Sequence, residues 1–143
     1  MAQGAPRWFP MPRAGDIVWC RFPQQGMPGP GPKPRPALVL RVGEHKGHLL
    51  VEVCYGTSQK VDQLYAGEFA IAPADNAAYV VAGLSYPTKF NLRATHELDY
   101  NEAWFAVPPG APHGQTPKLG LLHPSMMRRA AAAMTNAMTN VRR

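Results

Sequence analysis

The chain has 143 residues, of which 45% are hydrophobic, and it carries a formal net charge of +6. This length and composition are typical of one globular domain and exclude a chain that is disordered throughout. No apolar run approaches the roughly 20 residues that cross a bilayer, and the N-terminus lacks the apolar core of a secretory signal, so we expect a cytoplasmic protein without membrane contact. The positive charge favours a polyanionic partner or an acidic protein.

Strand-like runs recur along the first two thirds of the chain. Residues 1–14 contain three prolines and no periodicity, so they are predicted to form an arm that precedes a single domain over 15–143. Short runs rich in β-branched and aromatic residues follow, with turn residues between them, and they favour a mainly-β fold, a small antiparallel barrel or sandwich. The predicted strands are Asp16–Phe22, Ala37–Val42, His48–Tyr55, Glu68–Pro73, Ala78–Leu84 and Thr88–Leu92.

A proline-rich loop, "PGPGPKPRP" at 28–36, connects the first two predicted strands. Proline fixes φ and lacks the N–H, so this segment cannot join a sheet and is predicted to be extended. It ends in Arg35, which is flanked by Pro34 and Pro36. The residues alone leave two interpretations open: a solvated arginine at the end of a loop, or a guanidinium held in place to bind a phosphate.

The two cysteines, Cys20 and Cys54, lie within apolar strand-like runs. Free thiols that behave as small buried hydrophobic groups are the preferred interpretation, and a disulfide stays open if the two strands are neighbours. Two cysteines and scattered histidines do not supply the ligand spacing of a zinc site, and we expect no metal or other cofactor.

One strong helical pattern occupies the C-terminal region, about 124–141. Apolar residues recur there at helical spacing after Pro124, a residue suited to the first turn, and they predict an amphipathic α-helix that His123 caps. Such a methionine-rich stripe packs into the core or forms a subunit interface, and core packing is the preferred interpretation. The stripe consists of Met127, Ala130, Ala131, Met134, Met138 and Val141.

Several segments, in this order, resemble the PemK/MazF family of toxin endoribonucleases: "GDIVWCRFP", the proline-rich loop, "RPALVL", "VEVCYGTSQK" and the final helix. The resemblance implies an SH3-like (CcdB/MazF-type) antiparallel barrel, usually a homodimer, with a cognate antitoxin as partner. It further implies metal-independent cleavage of single-stranded RNA through a 2′,3′-cyclic phosphate. The catalytic residues that it implies are Arg35 and Thr57, together with the adjacent Ser58.

Binding of single-stranded RNA requires cationic groups and aromatic platforms for the bases. Trp19 and Phe22 are predicted on opposite faces of one strand, so that at most one of them faces a groove. The candidate RNA contacts are Lys33, Arg21, Lys60, Trp19, Tyr55, Lys89 and Asn91.

Lys89 and Asn91 occupy positions where some members of the family carry an arginine and an aspartate. Asparagine cannot act as a general acid. Either Arg93, His96 or Glu97 compensates for it, or the chain is a catalytically inactive barrel that serves as a protein-binding module, an inhibitor or a structural subunit.

Overall fold

The computed structural model describes residues 5–24 and 26–141, with the side chains of 139–141 excepted. Predictions for residues 1–4 of the arm, for 142–143 and for the side chain of Val141 therefore lie outside the described residues. Within that part of the chain, six strands and two α-helices are present. They are β1 (Asp16–Cys20), β2 (Arg35–His45), β3 (His48–Thr57), β4 (Glu68–Ile71), α1 (Ala77–Ala82), β5 (Thr88–Asp99), β6 (Lys118–Leu121) and α2 (Met127–Val141).

The strands form one antiparallel sheet in the order β4-β5-β3-β2-β1-β6. The predicted mainly-β class with a C-terminal helix is confirmed. The described strands do not close into a barrel, because β4 and β6 remain at the two edges of the sheet. Helix α1 packs against β6 instead. An added Cβ at Gly120 would lie 2.2 Å from the Val81 carbonyl oxygen, so only glycine permits this close approach.

Both faces of the sheet are buried, because alternate residues of a strand point to opposite sides. Leu38 on β2 joins a cluster that contains Phe90 and the inner face of α2. Its neighbour Val39 joins a second cluster, which contains Phe9 from the arm and Tyr100. The sheet therefore separates a helix-covered core from a core covered by the arm and by the segment after β5.

The cysteines lie on opposite sides of this sheet. Cys20 belongs to the arm-covered cluster and Cys54 to the helix-covered cluster, and both are free thiols. Strand β2 separates their strands, so the disulfide left open by the sequence does not form. Burial raises the pKa of both thiols, that of Cys54 to about 12, which leaves them protonated and unreactive at neutral pH.

The predicted strand Ala78–Leu84 is wrong, since helix α1 occupies most of it. A 3-10 turn at Pro73–Asp75 leads into the helix, and Gly83 ends it in the left-handed conformation with φ 70°. The buried positions are Ala78 and Ala82, one helical turn apart. The β-branched residues that suggested a strand, Val80 and Val81, are exposed.

The other strand bounds depart from the prediction at their ends. Strands β2, β3 and β5 extend beyond the predicted runs, whereas β1 and β4 end earlier, and β6 was not predicted. Arg35 and Pro36 pair with β1, so the end of the proline-rich loop joins the sheet, contrary to the prediction. The hairpin between β2 and β3 turns at Lys46 and Gly47, both with positive φ, which is typical of a two-residue turn.

The His123 ring accepts a hydrogen bond from the Ser125 N–H at 3.0 Å and so caps a 3-10 turn at Pro124–Met126 instead of the α-helix itself. Helix α2 begins after this turn, three residues later than the sequence predicts, and then follows the predicted run. Its methionines, however, do not pack into the core. Met127 and Met138 are each 56% exposed, whereas the buried side chains include Ala133 and Ala137.

The small side chains of α2 explain this orientation. An added Cβ at Gly67 would lie 3.1 Å from the Ala137 Cβ, so α2 approaches the sheet closely through its alanines. That close approach leaves the longer methionine side chains on the outer face of the helix.

The described part of the arm packs on the body of the protein. The Phe9 N–H donates to the Tyr100 carbonyl oxygen at 3.1 Å, and the Glu102 N–H donates to the Arg7 carbonyl oxygen at 2.8 Å. The Trp8 and His48 rings lie 4.9 Å apart, so the arm also contacts the β2–β3 hairpin. The division into an arm and a single domain stays a prediction.

Candidate functional site

The pairing of β2 with its neighbours places Arg35 and Thr57 at the same end of the sheet. Strand β2 begins at Arg35, which pairs with Cys20, while β3 ends at Thr57, which pairs with Lys89. Ala37 lies opposite Tyr55 in the antiparallel β2–β3 pair, and two further residues along each strand bring Arg35 beside Thr57.

Gly56 makes this close packing possible. An added Cβ at this position would lie 2.7 Å from the Pro36 carbonyl oxygen and 2.8 Å from Cε1 of Phe90. A side chain here would push β2 and β3 apart next to Arg35 and Thr57. The glycine of the "GTSQK" segment therefore fixes the geometry of the candidate site.

A cleft of about 330 Å³, here called the proline cleft, opens between these two residues. Trp19 and Tyr86 contribute aromatic surface to its lining, and prolines 108, 109 and 112 form one wall. This volume is within the range of about 300–1,000 Å³ that is usual for small-ligand pockets. The lining also includes Arg35, Thr57 and Ser58.

A second cleft lies on the other side of Arg35 and is here called the loop cleft, because residues 31–33 of the proline-rich loop line it. It measures about 860 Å³, and its lining includes Phe22, Lys33, Tyr55 and Arg35. The His96 ring meets Phe22 edge-on at 4.8 Å, which places an imidazole beside this cleft. Arg35 therefore lies on the ridge between two clefts.

This arrangement overturns the expectation that at most one of Trp19 and Phe22 faces a groove. Trp19 lines the proline cleft and Phe22 lines the loop cleft. The two aromatic residues do point in different directions, but each direction has a cleft of its own.

The Thr57 hydroxyl is oriented by its own turn. Its Oγ1 accepts a hydrogen bond from the Gln59 N–H at 3.1 Å, a local contact typical of threonine in turns. A hydroxyl that accepts through oxygen keeps its proton for donation to another group. Thr57 can therefore donate a hydrogen bond to an anion in the cleft, next to the Arg35 guanidinium.

Lys89 is buried instead of facing a cleft. Its Nζ donates to the Gln63 carbonyl oxygen at 2.8 Å and lies 3.0 Å from Oε1 of Glu68, and both side chains are at most 10% exposed. Glu68 Oε1 also accepts from the Tyr65 N–H at 2.8 Å. These contacts, here called the lysine clasp, hold the loop after Thr57 against β5.

The remaining sequence candidates lie outside the two cleft linings. Asn91 Oδ1 accepts from the Arg93 N–H at 2.9 Å, a local contact where β5 bulges away from β3. Lys60 is exposed in the turn after Ser58, with φ 51°. The Arg21 N–H donates a hydrogen bond to the Trp104 carbonyl oxygen, and the Arg21 carbonyl oxygen accepts one from the Gly31 N–H. These residues and Lys89 are not in contact with the space between Arg35 and Thr57.

Sequence reasoning did not identify prolines 108, 109 and 112 as part of the cleft lining. The segment "VPPGAPHGQTP" contains no apolar periodicity and was interpreted only as a loop. Its density of proline signals a rigid loop, but nothing in the sequence tells which surface that loop covers.

Residues 13–102, more than half of the chain, match a family model described as PemK-like, MazF-like toxin of type II toxin-antitoxin system. No curated protein matches the chain. No helix among the described residues is long and apolar enough to span a bilayer.

Proposed function

This chain belongs to the PemK-like, MazF-like toxins of type II toxin–antitoxin systems, and on that premise we propose that it is a metal-independent endoribonuclease of the cytoplasm that cleaves single-stranded RNA. The observation that carries the proposal is the placement of Arg35 beside Thr57 on the ridge between two clefts. Its cognate antitoxin holds it inactive, and the net charge of +6 suits an acidic antitoxin segment as well as RNA.

The proposed reaction is an internal transesterification. The ribose 2′-oxygen forms a bond to the adjacent phosphorus and loses its proton, the bond from phosphorus to the 5′-oxygen breaks, and that oxygen leaves with a proton. The products are a 2′,3′-cyclic phosphate and a free 5′-hydroxyl. Negative charge builds on the non-bridging phosphate oxygens in the transition state, so preorganised donors aimed at those oxygens lower the barrier.

Arg35 and Thr57 supply these donors. The planar guanidinium of Arg35 donates two parallel hydrogen bonds to the phosphate oxygens and keeps its charge at neutral pH. Because Arg35 is a strand residue that pairs with Cys20, its backbone is fixed before the substrate binds. The Thr57 hydroxyl donates a further hydrogen bond, and the exposed Ser58 lies next to it at the rim.

The RNA strand crosses the ridge with its phosphate at Arg35. Trp19 on one side and Tyr55 and Phe22 on the other offer aromatic faces to bases, and Lys33 provides a second positive charge in the loop cleft. His96, against Phe22, is the imidazole placed to exchange a proton through the loop cleft.

The exposed methionines of α2 support a homodimer. Met127, Met134 and Met138 form an apolar stripe on the outer face of the helix, and a second copy of the chain would cover it. Met134→Glu is expected to shift the protein from dimer to monomer in sedimentation velocity. A wild-type protein that sediments as a monomer at high concentration would contradict this assignment.

The test of the main proposal uses purified protein, single-stranded RNA and excess EDTA. Wild type and the control Arg41→Ala are expected to cleave the RNA, whereas Arg35→Ala is expected to lose about 10²–10³-fold in rate. Growth arrest on expression, relieved by Thr57→Ala, gives a quicker readout. RNA that stays intact with wild type, or cleavage that survives Arg35→Ala, would sink the nuclease proposal.

One observation favours a second candidate function. The described residues that line the two clefts include no aspartate, glutamate or histidine, so neither a carboxylate nor an imidazole lies on the cleft surface itself. A catalytically inactive domain that binds a protein partner through these clefts fits this feature. In that case RNA stays intact, and growth arrest on expression persists in Arg35→Ala.

A further inference from the structure

The proline cleft has a wall that lies beyond the part of the chain matched by the family. Prolines 108, 109 and 112 line the cleft, whereas the family match ends at residue 102. We call the segment 106–117 the proline wall. Together with Tyr86 and Trp19, its prolines line a space that also has Arg35 and Thr57 in its lining.

The proline wall is anchored at both ends on a single residue of β1. The Ala106 N–H donates to the Trp19 carbonyl oxygen at 3.1 Å, and the Trp19 N–H donates to the Pro117 carbonyl oxygen at 2.8 Å. Cys20 also bridges Phe105, just before the segment begins. A loop with both ends fixed and four prolines has few conformations, so the wall is formed before any ligand binds.

The backbone of the segment from Gly83 to Tyr86, which also lines the cleft, is equally constrained. An added Cβ at Gly83 would lie 2.0 Å from the Leu119 carbonyl oxygen, so the end of α1 packs tightly on β6. The following residues, Leu84 to Tyr86, are held in place by this packing, and the Thr88 hydroxyl donates to the Tyr86 carbonyl oxygen at 2.8 Å. Tyr86 itself is 68% exposed at the rim, where its ring is accessible to a ligand.

The chemistry of this space specifies one kind of occupant. Its surface is mainly apolar and includes two aromatic side chains, its hydroxyl groups include those of Thr57, Ser58 and Ser85, and the cationic side chain of Arg35 lines it as well. A flat heteroaromatic ring attached to an anion matches all three features, since bases stack on aromatic side chains while phosphate binds arginine.

We propose that the proline cleft is a socket for the base of one nucleotide that flanks the cleaved bond, and that the proline wall determines which base is accepted. This inference rests on the proposed nuclease function and extends it to sequence specificity. An apolar side chain of an antitoxin would be the competing occupant. The cationic side chain of Arg35 and the stacking surface favour the nucleotide.

The experiment compares wild type with two variants of the socket. One replaces residues 108–112 by glycine and serine at unchanged length, and the other is Tyr86→Ala. Each protein digests a pool of single-stranded RNA with randomised sequence, and the cleavage sites are sequenced. Affinity is measured separately with an uncleavable RNA oligonucleotide that carries a 2′-deoxy nucleotide at the preferred site. Pro10→Ala, an exposed proline outside the cleft, is the control.

We expect wild type and Pro10→Ala to share a preference at one position next to the cleaved bond. Both socket variants should lose that preference, bind the uncleavable oligonucleotide roughly 5- to 100-fold more weakly and show the loss mainly in KM. Tyr86→Phe, which keeps the ring, should restore the preference lost in Tyr86→Ala. If the wall replacement fails to fold, Tyr86→Ala carries the test alone.

Two different results would contradict the socket proposal, and they distinguish its failure from the failure of the nuclease proposal. If wild type cleaves RNA but both variants keep its base preference and affinity, the socket is wrong and the nuclease proposal survives. When such variants also resist neutralisation by the antitoxin, the cleft is a protein-docking site. If wild type cleaves no RNA, the nuclease proposal fails first and the socket fails with it.

Discussion

Strand β2 carries one exposed arginine near its middle and another at its first residue, and their surroundings differ. Near the middle of the strand, Arg41 lies 2.7 Å from Oε1 of Glu52 and donates to it through Nε at 2.8 Å. At the first residue, Arg35 has no carboxylate within ion-pairing distance among the residues that the structure describes. One arginine is neutralised by its neighbour strand, and the other faces two clefts.

This difference shows that exposure alone does not identify a functional arginine. Both side chains are exposed, and both lie on the same strand. What distinguishes Arg35 is an uncompensated charge beside a hydroxyl that can donate, in a place where the surface is concave. An anion gains little at Arg41, because it must compete with Glu52, whereas at Arg35 no carboxylate among the described residues competes with it.

The largest expected effect is on the free energy of unfolding, and it compares the ion pair of Lys89 with the ion pair of Arg41. Lys89→Met leaves the Glu68 carboxylate buried without its partner next to the Thr57 end, and we expect a loss of about 3–5 kcal/mol in the free energy of unfolding. Arg41→Met, near the middle of β2, removes an exposed ion pair and should cost at most about 1 kcal/mol. Urea denaturation measures both. Equal losses of stability in the two variants would contradict the stabilising role of the lysine clasp.

The next effect concerns the guanidinium itself. Arg35→Lys keeps the charge but loses the planar fork, so we expect kcat/KM for RNA cleavage to fall about 100-fold, while Arg41→Lys stays close to wild type. The measurement is initial rates on one RNA oligonucleotide at several salt concentrations. Full activity in Arg35→Lys would show that only the charge matters and would remove the argument for a bidentate contact.

A smaller effect is expected at the hydroxyl beside Arg35. Thr57→Val removes the donor at nearly constant volume, and we expect the cleavage rate to fall about 10- to 100-fold, the effect of one hydrogen bond to a charged group. Thr57→Ser should retain most of the rate, because the hydroxyl and its contact with the Gln59 N–H are kept. If Thr57→Val and Thr57→Ser behave alike, the hydroxyl is not used.

The structure brings together Arg35 and Thr57, the two residues that the resemblance singles out, while their catalytic roles stay a prediction. Arg35 and Thr57 came from a resemblance that rests on short local motifs, and local strand patterns were enough to align them. Lys89 was assigned to RNA because it occupies a position where some members of the family carry an arginine. Its burial depends on a carbonyl 26 residues away and on Glu68, a tertiary arrangement that no local pattern encodes.

The helices illustrate the same limit. In α1 the β-branched pair Val80 and Val81 predicted a strand. The segment is helical instead, with Ala78 and Ala82 buried one turn apart and Gly83 ending the helix in the left-handed conformation. In α2 the periodicity placed the helix correctly, yet it could not tell which apolar side faces the sheet. Close packing at Gly67 selected the alanine side and left the methionines outside.

The smallest expected effect tests an ion pair that lies outside β2 and β3, between Arg129 and Asp75. Arg129 on α2 donates to both carboxylate oxygens of Asp75 at 3.2 Å and to the Ala70 carbonyl oxygen at 2.8 Å, which ties the helix to the edge of the sheet. Burial would raise the pKa of Asp75, but the Ala72 N–H and the Arg129 guanidinium hold that pKa below its ordinary value of 3.8.

A lowered carboxyl pKa contributes stability that is present above pH 3.8 and is lost as the pH falls through the folded-state pKa. Wild type should therefore lose stability more steeply than Asp75→Asn as the pH falls below 3.8, because the variant has no carboxyl group to protonate there. Because the pair is partly exposed, the difference between the two proteins should be at most about 1 kcal/mol. Urea midpoints measured in steps of pH check this, and parallel curves would show that the tie between α2 and the sheet does not depend on the charge of Asp75.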